Sequence, residues 1–412
     1  MKETVECLIE DCSCLLSPED PGDGEALLQN TSVALADEKI VAVGPSRELS
    51  GRFTAAERVS AGGRVLTPGF VDSHTHLVFA GDRSAEYLKR CQGASYEQIA
   101  AMGGGIRSTV RATREASEEE LYAEARPRLM RMLALGSTTV EIKSGYGLDV
   151  ESELRLLRVI RRLGEETPVR VVPTFMGAHE IPDEYREDRA GYVAEVCERM
   201  IPRVAEEGLA TFCDVFCEEG VFTPQESIQI LEAGKALGMA PKIHADELAA
   251  SGGSEVAAQV GAVSADHLMQ ITNGGIDGMK QAGVIATLLP GTTFYLGKEN
   301  YAPARKLLDA GLPVALATDR NPGSCTVESL QFIIGISCLR MGMTPWEAFR
   351  GATEQGARAL GLEKVCGRIA PGLAADLILW ETRGLERIVY EFENRIERRV
   401  WVGGKKLERK GS

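Results

Sequence analysis

Histidine is scarce in this 412-residue chain, occurring only at His74, His76, His179, His244 and His267. In His74-Thr75-His76 two imidazoles stand two residues apart, a spacing that on an extended strand carries both to the same side. Paired neutral imidazoles are ligands for zinc or iron. His244 and Asp319 complete a candidate sphere of three His and one Asp around one metal per chain, divalent or trivalent, with water in the remaining position. Asp319 ends the apolar run Pro313-Val314-Ala315-Leu316-Ala317-Thr318, so it reads as a ligand at a strand end rather than a cap for the next helix. His267, in Ser264-Ala265-Asp266-His267, is left over once four ligands are assigned, and proton transfer is the role it suits. Glu247, three residues after His244, can orient substrate or carry a proton. Two-residue spacing also puts Glu141 and Lys143 on one strand face as a candidate ion pair. The run Thr211 to Glu219 has no Lys to bridge a second metal, so one metal is the simpler count.

These residues need a scaffold that brings distant segments together at one end. The middle of the chain alternates apolar runs with amphipathic stretches, the pattern of βα units. Eight runs are expected as strands: Val65–His76, Thr138–Tyr146, Val169–His179, Thr211–Glu219, Pro241–Leu248, Ala262–Leu268, Val284–Pro290 and Pro313–Asp319. Helices are expected between them over Glu118–Leu135, Glu151–Leu163, Tyr192–Glu207, Pro224–Leu237, Gly253–Val260 and Ala302–Ala310, with a kink or early stop at Pro127 and Pro202. Eight such units make an α/β fold, a TIM-like (β/α)8 barrel over residues 66–366. All five histidines then fall in or near the C-terminal ends of strands, the catalytic face of such barrels. A doubly wound sheet is the alternative, but no Gly-rich phosphate turn follows the first strand. Residues 1–65 and 367–412 are strand-rich, and each is too short to bury a core alone. A composite small β domain built from both chain ends is therefore expected.

Composition sets the outer limits. Hydrophobic residues at 44% and charged residues at 26% suit a chain with a sizeable core. Lys plus Arg number 46 against 60 Asp plus Glu, a net charge of −14, which argues against nucleic acid or an anionic membrane as partner. No apolar stretch is long enough to span a bilayer, and Met1-Lys2-Glu3-Thr4-Val5-Glu6 does not open like an export signal. Ten scattered cysteines read as reduced thiols of a cytoplasmic protein. The spacings of Cys12/Cys14 and Cys213/Cys217 fit no common zinc pattern. A small-molecule substrate is the expected partner, and a homodimer is compatible although no motif specifies one.

The Pro68-Gly69 turn, His74-x-His76, His244, His267 and Asp319 together resemble the amidohydrolase superfamily. Within it the chain resembles the imidazolonepropionase family along essentially its full length. That resemblance is carried by Gly93-Ala94-Ser95-Tyr96, Gly103-Gly104-Gly105-Ile106, Lys143-Ser144-Gly145-Tyr146-Gly147, Gly177-Ala178-His179, His244-Ala245-Asp246-Glu247 and Asp319-x-Asn321-Pro322-Gly323. It implies hydrolysis of the ring amide of 4-imidazolone-5-propanoate to N-formimidoyl-L-glutamate, with metal at His74, His76, His244 and Asp319. It also implies substrate contacts from Arg83, Tyr96, Tyr146, His179, Glu247, Asn321, Gly323 and Ser324, with Asp319 and His267 passing protons. Arg83 would offer its fork to the propionate, or else simply pair with Asp82 or Glu86. Arg320 departs from the family pattern, which has an uncharged residue there. If the strand still alternates, its side chain points away from that of Asp319.

Overall fold

The protein is described here by a computed structural model over residues 2–15, 27–94, 98, 104–393 and 396–408. Eight strands form a parallel barrel in chain order: β1 (Phe70–Asp72), β2 (Ser137–Lys143), β3 (Arg170–Ala178), β4 (Phe212–Cys217), β5 (Ala240–Ala245), β6 (Ser264–His267), β7 (Ile285–Leu288) and β8 (Val314–Leu316). Each of the eight expected runs supplies one strand to the barrel. The ring closes just beyond β8 and β1, where the Asp319 N–H donates to the His74 carbonyl at 3.0 Å and the His76 N–H to the Arg320 carbonyl at 2.9 Å. The seam of the barrel is thus made by residues of the candidate site.

Buried faces explain the helices. Val150–Glu166 packs on β3, Pro224–Ala236 on β4 and Gly253–Val260 on β5. Ser117 with Glu120 and Thr223 with Glu226 form reciprocal capping boxes that start Glu118–Ala134 and Pro224–Ala236. Pro127 lies inside the first of these without ending it. The expected Tyr192–Glu207 helix is divided, with a π-helical turn at Val196–Met200 before Ile201–Glu206, so that Pro202 falls in the first turn of a new segment.

The chain ends build one mixed sheet. Its order is Lys405–Lys406, Arg398–Val402, Leu377–Trp380, Val65–Pro68, Glu3–Leu15, Leu27–Ala36 and Lys39–Pro45, with Phe53–Ser60 also paired to Glu3–Leu15. The run Val65–His76, expected as one strand, is two. Val65–Pro68 pairs with Leu377–Trp380 in the small sheet, and the ladder changes partner at Gly69. The Gly69 N–H donates to Asp376, while the Phe70 N–H donates to Gly136 in the barrel. A side chain at Gly69 would stand 2.3 Å from Thr138 Oγ1, so only glycine fits the crossing. Phe70 and Trp380 then pack at 5.9 Å between centroids, joining the two sheets through one core.

Candidate metal centre

His74 and His76 follow β1, and His244 lies on β5; all three are buried. The Nε2 atoms of His74 and His76 stand 3.3 Å apart, as do those of His76 and His244. His74 Nδ1 faces Asp266 Oδ2 at 2.6 Å, and His244 Nδ1 faces Asp214 Oδ1 at 3.0 Å. A carboxylate at Nδ1 holds the ring proton there and leaves Nε2 with its lone pair. His76 could then donate to at most one neighbour, so the two 3.3 Å contacts cannot both be hydrogen bonds. Nitrogens about 2.0–2.1 Å from a tetrahedral zinc stand about 3.3 Å apart, which is the spacing found. Burial pushes His244 down to about 4 and holds His74 and His76 well below the usual imidazole range, so the rings are neutral at neutral pH. His74, His76 and His244 form a metal-binding site.

Asp319, just past β8, has a left-handed backbone with φ of 54°. Its Oδ1 lies 3.6 Å from His74 Nε2 and 3.8 Å from His76 Nε2, and its Oδ2 accepts the Thr292 hydroxyl. It caps no helix; Ser329 caps the next one, Leu330–Met341. Burial raises its carboxyl to about 6. His267, also left-handed with φ of 79°, lies outside the histidine triad, its ring centroid 5.2 Å from that of His244. Its Nε2 is 3.6 Å from Glu247 Oε2, and its Nδ1 is buried without a hydrogen-bond partner among the described residues.

The other site residues surround this centre. His179 stacks on His76 at 4.9 Å, its Nδ1 faces the Gly145 carbonyl at 2.9 Å, and burial takes it down to about 3. Tyr146 packs 5.4 Å from His179 and 6.0 Å from His76. Arg83 pairs with Glu86 at 2.8 Å, and its Nη1 lies against Gly323, where a Cβ would meet it. The Asn321 Oδ1 accepts the N–H groups of Gly323 and Ser324 at 2.8 and 2.7 Å, holding that turn open toward Arg83. Arg320 turns away from Asp319, toward Glu328 at 3.2 Å and the Phe79 ring. Tyr96 lies outside the described residues.

A profile of the Amidohydrolase family matches residues 65–407. An imidazolonepropionase of Geobacillus thermodenitrificans is 49% identical over 389 residues, covering 93% of this chain and 92% of that one. One of Shouchella clausii is 50% identical over 376 residues, covering 90% and 84%. The chain belongs to the imidazolonepropionase family of amidohydrolases. A 5-methylcytosine deaminase from Klebsiella pneumoniae shares the fold, with a TM-score of 0.76 over 98% of each chain at 17% identity.

Beneath the histidines lies a buried layer that sequence reasoning largely missed. Lys143 pairs with Glu141 at 2.9 Å, as the spacing predicts, but also with Asp214 at 2.6 Å. Burial opposes the Lys143 charge, yet the carboxylates of Asp214, Glu141 and Asp266 raise its pKa above the usual lysine value. Burial equally opposes ionisation of Asp214, but Lys143 and His244 hold it well below the carboxylate range. Asp72 accepts both the N–H and the hydroxyl of Thr318, tying the ends of β1 and β8 together. The available signal was a lone carboxylate in the apolar run Phe212-Cys213-Asp214-Val215-Phe216.

Proposed function

We propose that this imidazolonepropionase relative hydrolyses the ring amide C–N bond of 4-imidazolone-5-propanoate, giving N-formimidoyl-L-glutamate. The carrying observation is the convergence of three buried imidazole Nε2 atoms inside a chain that shares half its residues with imidazolonepropionases over most of its length. His74, His76, His244 and Asp319 would hold one zinc or iron ion, which when bound polarises the carbonyl and lowers the pKa of water. Water adds to the ring carbonyl carbon, the C–N bond breaks, and a proton of that water ends on the released nitrogen. Asp319 takes the proton as the water attacks. His267, with Glu247 beside it, delivers a proton to the departing nitrogen. Arg83 reads the propionate from the wall it shares with Asn321, Gly323 and Ser324, and Glu86 holds its guanidinium in place. Tyr146 and His179 face the ring.

The partner is thus a small molecule. Among the described residues no helix is long and apolar enough to cross a membrane. We place the enzyme in the cytoplasm without a nucleic-acid partner, as the acidic composition and ten cysteines favour, with a homodimer as the assembly to test. Turnover of 4-imidazolone-5-propanoate set beside cytosine and guanine tests the substrate. Selective hydrolysis of the first supports the reading, and deamination of either base without it refutes the reading.

A further inference from the structure

Among the described residues the lysine of Lys143-Ser144-Gly145-Tyr146-Gly147 makes no side-chain hydrogen bond or ion pair with a proposed ligand or substrate residue, yet it stands behind two of the ligands. We propose that Lys143 is a positioning residue whose single ammonium holds the carboxylates behind His244 and His74, and acts on the metal chiefly through Asp214. Its side chain is fully buried at the end of β2. Nζ lies 2.6 Å from Asp214 Oδ2 and 3.8 Å from Asp266 Oδ2. Those two carboxylates face the Nδ1 atoms of His244 and His74. The supports are unequal. Asp266 also accepts the Ser264 hydroxyl at 2.6 Å and has Lys242 at 3.9 Å, whereas the side-chain partners of Asp214 are Lys143 and His244 alone among the described residues. Without Lys143, Asp214 is a buried carboxylate facing one imidazole. It would then drift from its position, which loosens the orientation of His244.

The inference rests on the metal centre and not on the identity of the substrate, so it is read in metal affinity. Zinc affinity of the full-length protein is measured by chelator competition, with the visible spectrum of the cobalt-loaded form recorded in parallel. Lys143→Met should weaken zinc binding roughly 10–100-fold, the range for loss of a group that supports a ligand, and shift the cobalt bands. In an Asp214→Asn background the same change should cost less than about threefold, because the two residues act as one unit. A Lys143→Met affinity within about twofold of the unsubstituted protein, an unshifted cobalt spectrum, or equal losses in both backgrounds overturns the proposal. If Lys143→Met alone does not fold, the double variant, which removes the buried charges together, is compared with Asp214→Asn. Matching zinc affinities then support the proposal, and a further roughly tenfold loss in the double variant overturns it.

Discussion

At the scale of single residues, the proposed function assigns proton movement to His267 and recognition to Arg83. His267 lies 3.6 Å from Glu247 but stands apart from the three converging nitrogens. His267→Ala should therefore retain most of the metal while kcat falls roughly 10²–10⁴-fold, as expected for loss of general acid–base help. Metal content and rate are measured on one preparation; proportional loss of both would make His267 a ligand instead. Arg83 was open to two readings from sequence, a carboxylate fork or a partner of Glu86; the structure shows the pair with Glu86, and in the proposed function that pair orients the fork. Arg83→Ala should cost roughly 2–4 kcal/mol in kcat/KM, and much less for an analogue lacking the propionate. Equal losses on the two compounds would remove Arg83 from recognition. The histidines were legible because there are five and all mark strand ends. Asp214, Asp266 and Thr292 were not, since spacing along one strand cannot say which side chain of another strand it will face.

At the scale of elements, the loop after β2 shows what a motif is for. The buried Glu153 carboxylate accepts the N–H groups of Gly145, Gly147 and Leu148 at distances between 2.8 and 3.2 Å. Those bonds curl Lys143-Ser144-Gly145-Tyr146-Gly147 over the site and aim the Gly145 carbonyl at His179. Gly145 has φ of +101°, and a Cβ there would come within 2.9 Å of His179 Nδ1. Gly145→Ala should destabilise the fold by about 1–3 kcal/mol and displace His179. Denaturant unfolding combined with KM checks this, and unchanged stability with unchanged KM would contradict it. The type and order of the eight barrel strands were legible from periodicity, whereas the helices Asn273–Ala282 and Leu330–Met341 were not. The break within Val65–His76 was not, because Val65-Leu66-Thr67-Pro68 and Phe70-Val71-Asp72 are equally strand-like. Only the tertiary crowding of Gly69 against Thr138 decides where one sheet hands over to the other.

At the scale of the whole molecule, the two sheets are joined covalently and by packing at that crossing. We propose residues 66–366 as the barrel unit and the two chain ends as the composite domain, with the units unfolding together. Trp380 and Trp401 are buried on strands of the small sheet, so fluorescence reports chiefly on it, whereas far-UV circular dichroism reports mainly on the helices around the barrel. Their urea midpoints should coincide, and two separated transitions would show independent domains. The barrel in turn exists to bring His74, His76 and His244 to one point from segments some 170 residues apart, 168 between the last two. That convergence is also the most direct place to test the account. The measurement is turnover of 4-imidazolone-5-propanoate by the same protein before metal removal, after it, and after zinc or iron is restored, with metal content determined at each stage. Activity should fall to background as metal is lost and return at about one ion per chain, the stoichiometry of a single four-ligand site. Full activity in protein verified to be metal-free would contradict it.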